Sequence, residues 1–411
     1  MERLGGSGLV LMALFWASVV VADPPSRPSL AASQEISVAQ GDLAGWIAAF
    51  RPRARAKGIS EATLDAALTG VTLRPDVVEK DRTQTEFTRT IWDYLDRAVS
   101  DDRISAGQAA LQKHAKLLGQ IEARYGVDRQ VLLAIWGLES SYGVQRGDIP
   151  TIAALVTLAC STRRSGYFEQ ELLAALRILQ DGDVSPAALL GSWAGAMGHT
   201  QFMPSSYLSL AVDFDGDGKR NIWGDDPGDA LASTAAFLAR WGWRQGAPWG
   251  VEITLPPGFD YRLAGEKTLH SAAEWQAIGV ARAGGGALPD CGPSSVLLPA
   301  GIRGPAFLIC PNFHVIEQYN PADAYVIAVG SLGDRISGAK PIRAPWPRDL
   351  RALTLDERVA LQHRLTLAGF DAGGADGRIG PLTQTAIRGF QASIGIVPDG
   401  YASLDVLNRL P

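Results

Sequence analysis

One glutamate stands inside an apolar run. In the stretch VLLAIWGLESSYG (131–143), Leu132, Ile135, Trp136 and Glu139 fall on one face at helical spacing. An ionised carboxylate in apolar surroundings is costly, so its pKa rises instead. A carboxyl kept protonated near neutrality is suited to general-acid work. A second stretch, GSWAGAMGHTQFMPSSYLSLAVDFDGDG (191–218), is rich in small residues, with Trp193, Gln201 and Tyr207 among them. Small residues permit close backbone approach, and amide, hydroxyl and aromatic groups suit sugars, whose edges are polar and whose faces are flat. Within it, Asp213, Asp215 and Asp217 at positions one, three and five, then Gly218 at six, match the start of an EF-hand loop, with Lys219 offering a backbone carbonyl. The twelfth position is Gly224 rather than Glu, so the closing ligand must come later. A Ca²⁺ ion held there would be structural.

Helices must position these groups. EATLDAAL, EFTRTIWDYLDRAV, SAGQAALQKHAKLLGQIEARYG and DRQVLLAIWGLESSYG carry apolar residues at three- and four-residue steps, with Gly126 and Asp128 read as a stop and an N-cap. FEQELLAALRILQDGD and DALASTAAFLARWGW continue the pattern. Residues 250–330 differ: VEITL, SSVLLPA, PAFLICP and AYVIAVG are short β-like or buried runs split by Gly and Pro. The proline-bearing stretch 339–352 reads as a linker, and a small unit follows over 353–411. The expected class is mostly α (α+β): a large helical domain, a small β-containing portion and a C-terminal module.

The chain has 411 residues, and a net charge of −5 argues against a nucleic-acid binder. Residues 1–22 read as a signal peptide, with an apolar stretch too short to span a membrane comfortably and small residues before Asp23. Residues 23–40, polar and Pro/Ser/Ala-rich, read as a flexible leader. The mature protein is expected to be exported, monomeric and free of transmembrane segments. Export allows a disulfide; Cys291 and Cys310 are the closest pair in sequence, which leaves Cys160 as a free thiol. No CxxC or His-rich pattern points to a zinc enzyme.

AIWGLESSYG, then SWAGAMGHTQFMPSSY, then AVDFDGDGKRNIW resemble, in order, the lytic murein transglycosylase B family. The resemblance runs from about Asp42 to the stretch 311–336, so it implies a catalytic domain at 41–338 with a lysozyme-like helical fold. It implies non-hydrolytic cleavage of the MurNAc-GlcNAc β-1,4 bond of peptidoglycan glycan strands, leaving 1,6-anhydro-MurNAc ends. No cofactor is needed for that chemistry. The family's sole acid and base falls on Glu139. Its saccharide-contacting positions fall on Arg163, Arg164 and Tyr167, on Ser192 and Gln201, and on Tyr319, Asn320 and Tyr325; His199 receives no role. Its late acidic metal position falls on Asp229. The C-terminal unit resembles the peptidoglycan-binding domain 1 family, a three-helix module in which Asp376 and Gly377 shape a loop and Phe390 is core. The compartment implied is the periplasm of a Gram-negative bacterium. Two other readings stand beside this one. A muramidase-type hydrolase would use water and a second carboxylate, and a non-catalytic wall-binding protein would not need Glu139.

Overall fold

A computed structural model describes residues 30–82, 89–161 and 164–411. The signal-peptide and early leader positions, and Arg163, lie outside the described residues. Among the described residues, seventeen α-helices and six short strands place the protein in the mostly helical class. Three separate apolar cores mark its parts.

The largest core gathers the helices between Leu43 and Ile336. At its centre lies the helix Arg129–Ser140, whose residues 131–140 are all buried. Leu132, Leu133 and Ile135 are fully enclosed, and burying each such side chain contributes about 1.5–3 kcal/mol. The preceding helix ends on Gly126 in the left-handed region, φ +64°, as a C-terminal stop requires. Asp128 precedes the next helix but does not cap it with its side chain. Its carboxylate instead accepts from Trp243 Nε1 at 2.9 Å and Gly246 N at 3.1 Å, tying the helix start to a distant turn.

The β-containing portion is a four-stranded antiparallel sheet in the order Ala281–Arg282, Gly250–Thr254, Ala306–Ile309, Ser295–Leu297. It has its own core around Trp275, Val296 and Leu308. The Cys291–Cys310 disulfide forms beside it, and Cys160 is half-buried and takes no part in it. A two-stranded ribbon elsewhere pairs Ile149–Pro150 with Leu190–Gly191.

Three expectations change. AYVIAVG is not β-like: it lies in the helix Asp323–Ile336, with residues 325–333 all buried. A helix enclosed on every side loses the polar stripe that marks a helical period. The leader is partly helical, since the first helix begins at Leu30; LAASQEISVAQ contains neither Gly nor Pro. The linker has irregular backbone but is fastened down. Arg348 pairs with Asp96 at 2.7 Å, Trp346 packs on Trp92, and Arg343 N and Ala344 N donate to Glu252.

The C-terminal module has three helices: Leu355–Leu367, Pro381–Ser393 and Leu404–Arg409. Thr354 and Glu357 form a capping box at its start. Its two Asp-Gly turns are held alike. Gly377 N donates to Gln362 Oε1 at 2.7 Å, and Gly400 N to Gln391 Oε1 at 2.9 Å. Phe390 is core, as expected. No helix among the described residues is long and apolar enough to cross a membrane.

Candidate active site

Glu139 sits near the C-terminal end of the helix Arg129–Ser140, 8% exposed. Its Oε1 accepts from the Tyr325 hydroxyl at 2.6 Å. Burial pushes its carboxyl up to about 8, and the Tyr325 hydrogen bond opposes that only in part. No carboxylate among the described residues contributes to the shift. Tyr319 lies close enough for the Glu139 charge to raise its phenol further, and its hydroxyl donates to the Thr200 carbonyl. Two tyrosines thus flank one protonatable carboxyl.

The chain after Glu139 turns sharply. Ser141, Tyr142 and Gly143 all have positive φ, at 49°, 59° and 86°. Such backbone is held only where the surroundings over-determine it. Here Ser140 Oγ donates to the His199 carbonyl at 2.5 Å and accepts from Gly143 N at 3.0 Å. Tyr142 packs its ring where a side chain on Gly137 would stand, and its hydroxyl donates to the Arg103 carbonyl at 2.8 Å. A Cβ on Gly143 would meet the His199 ring at 2.6 Å. The glycine spacing of WGLESSYG is therefore the spacing of these contacts.

His199 was assigned no role from the sequence, yet it organises the site. Trp136 Nε1 donates to His199 Nδ1 at 3.1 Å, so the ring proton belongs on Nε2, which donates to the Gly224 carbonyl at 2.7 Å. Burial lowers the imidazole pKa, which keeps the ring neutral. Arg146 donates to the same Gly224 carbonyl and pairs with Asp225 at 3.1 Å. His199 thereby joins the helix that carries Glu139 to the acidic loop. Only the Gly-His-Thr-Gln setting marked it in the sequence, and a histidine that bonds other protein groups has no signature of its own.

The other expected residues divide. Gln201, in the left-handed region at φ 53°, donates from Nε2 to the Arg146 and Gly198 carbonyls at 3.0 and 2.8 Å. Ser192 closes its loop, its hydroxyl accepting from Ala196 N at 3.1 Å. Asn320 is buried and its side chain accepts from Ala322 N, shaping the entry to the helix that carries Tyr325. Arg164 and Tyr167 belong to a separate polar group. Arg164 pairs with Asp81 and lies over the Phe168 ring. Tyr167 donates to the buried Glu171 carboxyl, which also accepts from Ser205 N and Oγ.

In the acidic loop, carboxylate oxygens of Asp213, Asp215 and Asp229 lie within 4.8 Å of one another. Asp229 is 5% exposed, and burial together with the Asp215 and Asp213 charges raises its pKa. Asp217 stands outside this trio; its carboxylate accepts from Lys219 N at 2.8 Å. An all-oxygen donor set of three carboxylates fits a hard divalent cation.

Comparison with known proteins agrees with this geometry. Residues 42–334 match the transglycosylase SLT domain family, and residues 354–410 match a peptidoglycan binding domain family. The chain is 34% identical over 254 residues to membrane-bound lytic murein transglycosylase B of Escherichia coli (strain K12), covering 60% of this chain and 67% of that protein. Its structure is similar to that of SltB3 from Pseudomonas aeruginosa, solved in complex with NAG-anhNAM-pentapeptide. The TM-score is 0.87 at 48% identity, over 90% of this chain and 99% of that chain. It is also similar to the Escherichia coli lytic transglycosylase Slt35, solved in complex with calcium, with a TM-score of 0.59 at 29% identity over 75% and 93% of the two chains. With that domain over most of its length, the chain belongs to the transglycosylase SLT domain family, the lytic transglycosylases of peptidoglycan, and carries a peptidoglycan binding domain behind it.

Proposed function

We propose that the protein cleaves the MurNAc-GlcNAc β-1,4 bond of peptidoglycan without water, with Glu139 as general acid and then general base. The neutral carboxyl gives its proton to the glycosidic oxygen as the C1–O bond breaks. The resulting carboxylate takes the proton of the MurNAc C6 hydroxyl as that oxygen bonds to C1. The product is a 1,6-anhydro ring, and Glu139 ends protonated. One carboxyl serves both steps because the nucleophile belongs to the substrate. A hydrolase would set a second carboxylate about 5–9.5 Å from the first. The observation that carries the reading is the buried, proton-holding Glu139 with no carboxylate among the described residues acting on it. Digestion in oxygen-18 water tests it: the expected products carry no label, and one labelled oxygen at each new reducing end would favour the hydrolase.

The pKa of about 8 fixes a pH profile. Activity needs the protonated form, so kcat/KM is expected to be level below pH 8 and to fall about tenfold per pH unit above it. Tyr325→Phe removes the hydrogen bond that lowers this pKa, so the alkaline limb should move upward. The carboxyl also loses its orientation, and kcat should fall roughly 10–100-fold. Rates over pH 5–10 check both expectations.

Ser192, Gln201, Tyr319, Asn320 and Tyr325 are proposed to line the glycan path, with Arg164 and Tyr167 toward its peptide-bearing end; Arg163 is proposed as a further substrate contact and lies outside the described residues. The C-terminal domain raises the local concentration of the enzyme on its polymer. Residues 1–22 would direct export to the periplasm. Asp213, Asp215 and Asp229, with Asp217 and the Lys219 carbonyl available nearby, are proposed to hold Ca²⁺ as a structural ion. At a Ca²⁺ concentration of about 100 Kd the linkage is about 2.7 kcal/mol, so Tm should rise by roughly 5 °C. Asp229→Asn should abolish that rise in a scanning-fluorimetry titration.

A further inference from the structure

A second group of ligand-bearing side chains lies apart from the acidic loop. His314 and Glu317 stand at i and i+3 on the helix Pro311–Tyr319, with His314 Nδ1 and Glu317 Oε2 2.6 Å apart. Glu266 reaches them from the β-containing portion, in the loop after the turn Tyr261–Leu263. The imidazole nitrogen and one oxygen of each carboxylate all lie within 4.8 Å of one another. Asp323 joins them from the first turn of the helix Asp323–Ile336. Its carboxyl is pushed up to about 7, first by burial and then by the Glu266 and Glu317 charges. The positive groups that act here are His314 itself and Lys267, which touches Glu266 through charge alone. Two carboxylates therefore meet one imidazole, and Asp323 acts on the group through its charge.

We propose that Glu266, His314 and Glu317, with Asp323 beside them, bind one divalent transition-metal ion of the zinc class. The donor set decides the class. An imidazole nitrogen with carboxylate oxygens suits zinc and its neighbours, whereas an all-oxygen set suits calcium. The site differs in this from Asp213, Asp215 and Asp229. Its position gives it a structural task. Glu266 belongs to the sheet portion, while His314, Glu317 and Asp323 belong to the two helices that bring Tyr319 and Tyr325 to Glu139. A bound ion fastens the sheet portion to those helices.

The test uses the tag-free full chain, stripped with a chelator and titrated with Zn²⁺ by calorimetry. A parallel titration with Co²⁺ is followed by visible absorption. The expected result is one Zn²⁺ per chain at this site, a d–d band in the cobalt protein, and at least tenfold weaker binding with loss of the band in His314→Ala. Asp213→Asn should keep both. If His314→Ala fails to fold by circular dichroism, Glu266→Gln replaces it, with the same tenfold loss expected. Equal zinc affinity in the parent and the folded variant, or loss of zinc only in Asp213→Asn, would overturn the proposal.

Discussion

Glu139→Gln should remove at least a thousandfold of the activity and make the protein more stable. The amide cannot donate the proton that the leaving oxygen needs or accept the one that the C6 hydroxyl must lose. Both halves of the reaction fail, and loss of positioned acid–base catalysis costs about 10²–10⁴-fold for each role. The fold should benefit, because the amide oxygen can still accept from Tyr325 while the carboxyl's penalty disappears. The sign follows from linkage. The folded carboxyl titrates at about 8 and an unfolded one near 4.5. Between those values the unfolded chain releases a proton that the folded chain retains. Stability attached to Glu139 is thus fully present below pH 4.5 and is lost as pH rises toward 8. The glutamine variant escapes this loss, so its advantage should grow through that window to the order of 4 kcal/mol. Denaturant unfolding of both proteins at pH 5 and pH 8 measures it.

Gly147→Ala should unfold the active site without touching any group that does chemistry. Gly147 has φ +87°, in the left-handed region that favours glycine. A Cβ there would fall on the carbonyl carbon and oxygen of Gly191 and 2.7 Å from Ser192 N. Those atoms are backbone, and Gly191 is held by its pairing with Ile149. Neither side can yield cheaply. Dihedral strain and collision together should cost about 4 kcal/mol or more. The ribbon leads into the loop carrying His199, Thr200 and Gln201, so activity should fall with it. Unfolding midpoints, with Gly182→Ala as control, measure the difference. Gly182 also has positive φ, but nothing stands within 4 Å of its Cβ position.

The sequence was most informative where a residue breaks its local pattern. Glu139 was legible because a carboxyl inside an apolar helix face needs a reason. The helices that surround it were legible from their spacing, and the disulfide from the proximity of Cys291 and Cys310 in the chain. Tyr325 was legible only through resemblance. Its own helix is buried on all sides and carries no period that separates it from a strand. His199 and Arg146 were hidden for another reason. Their work is to bond other protein groups across 25 to 78 residues of chain, and no local pattern records that. The acidic loop was half legible. Alternating aspartates announce a loop, but Asp229 enters from the next helix, and folding alone brings it to Asp213 and Asp215.

In the proposed reaction Glu139 drives an intramolecular attack by the C6 hydroxyl. Mass spectrometry of the muropeptides released from purified peptidoglycan, by the parent protein and by Glu139→Gln, tests it most directly. The parent should release muropeptides lighter by one water than their reducing counterparts, and the variant should release none. Reducing muropeptides from the parent, or anhydro products from the variant, would contradict the claim.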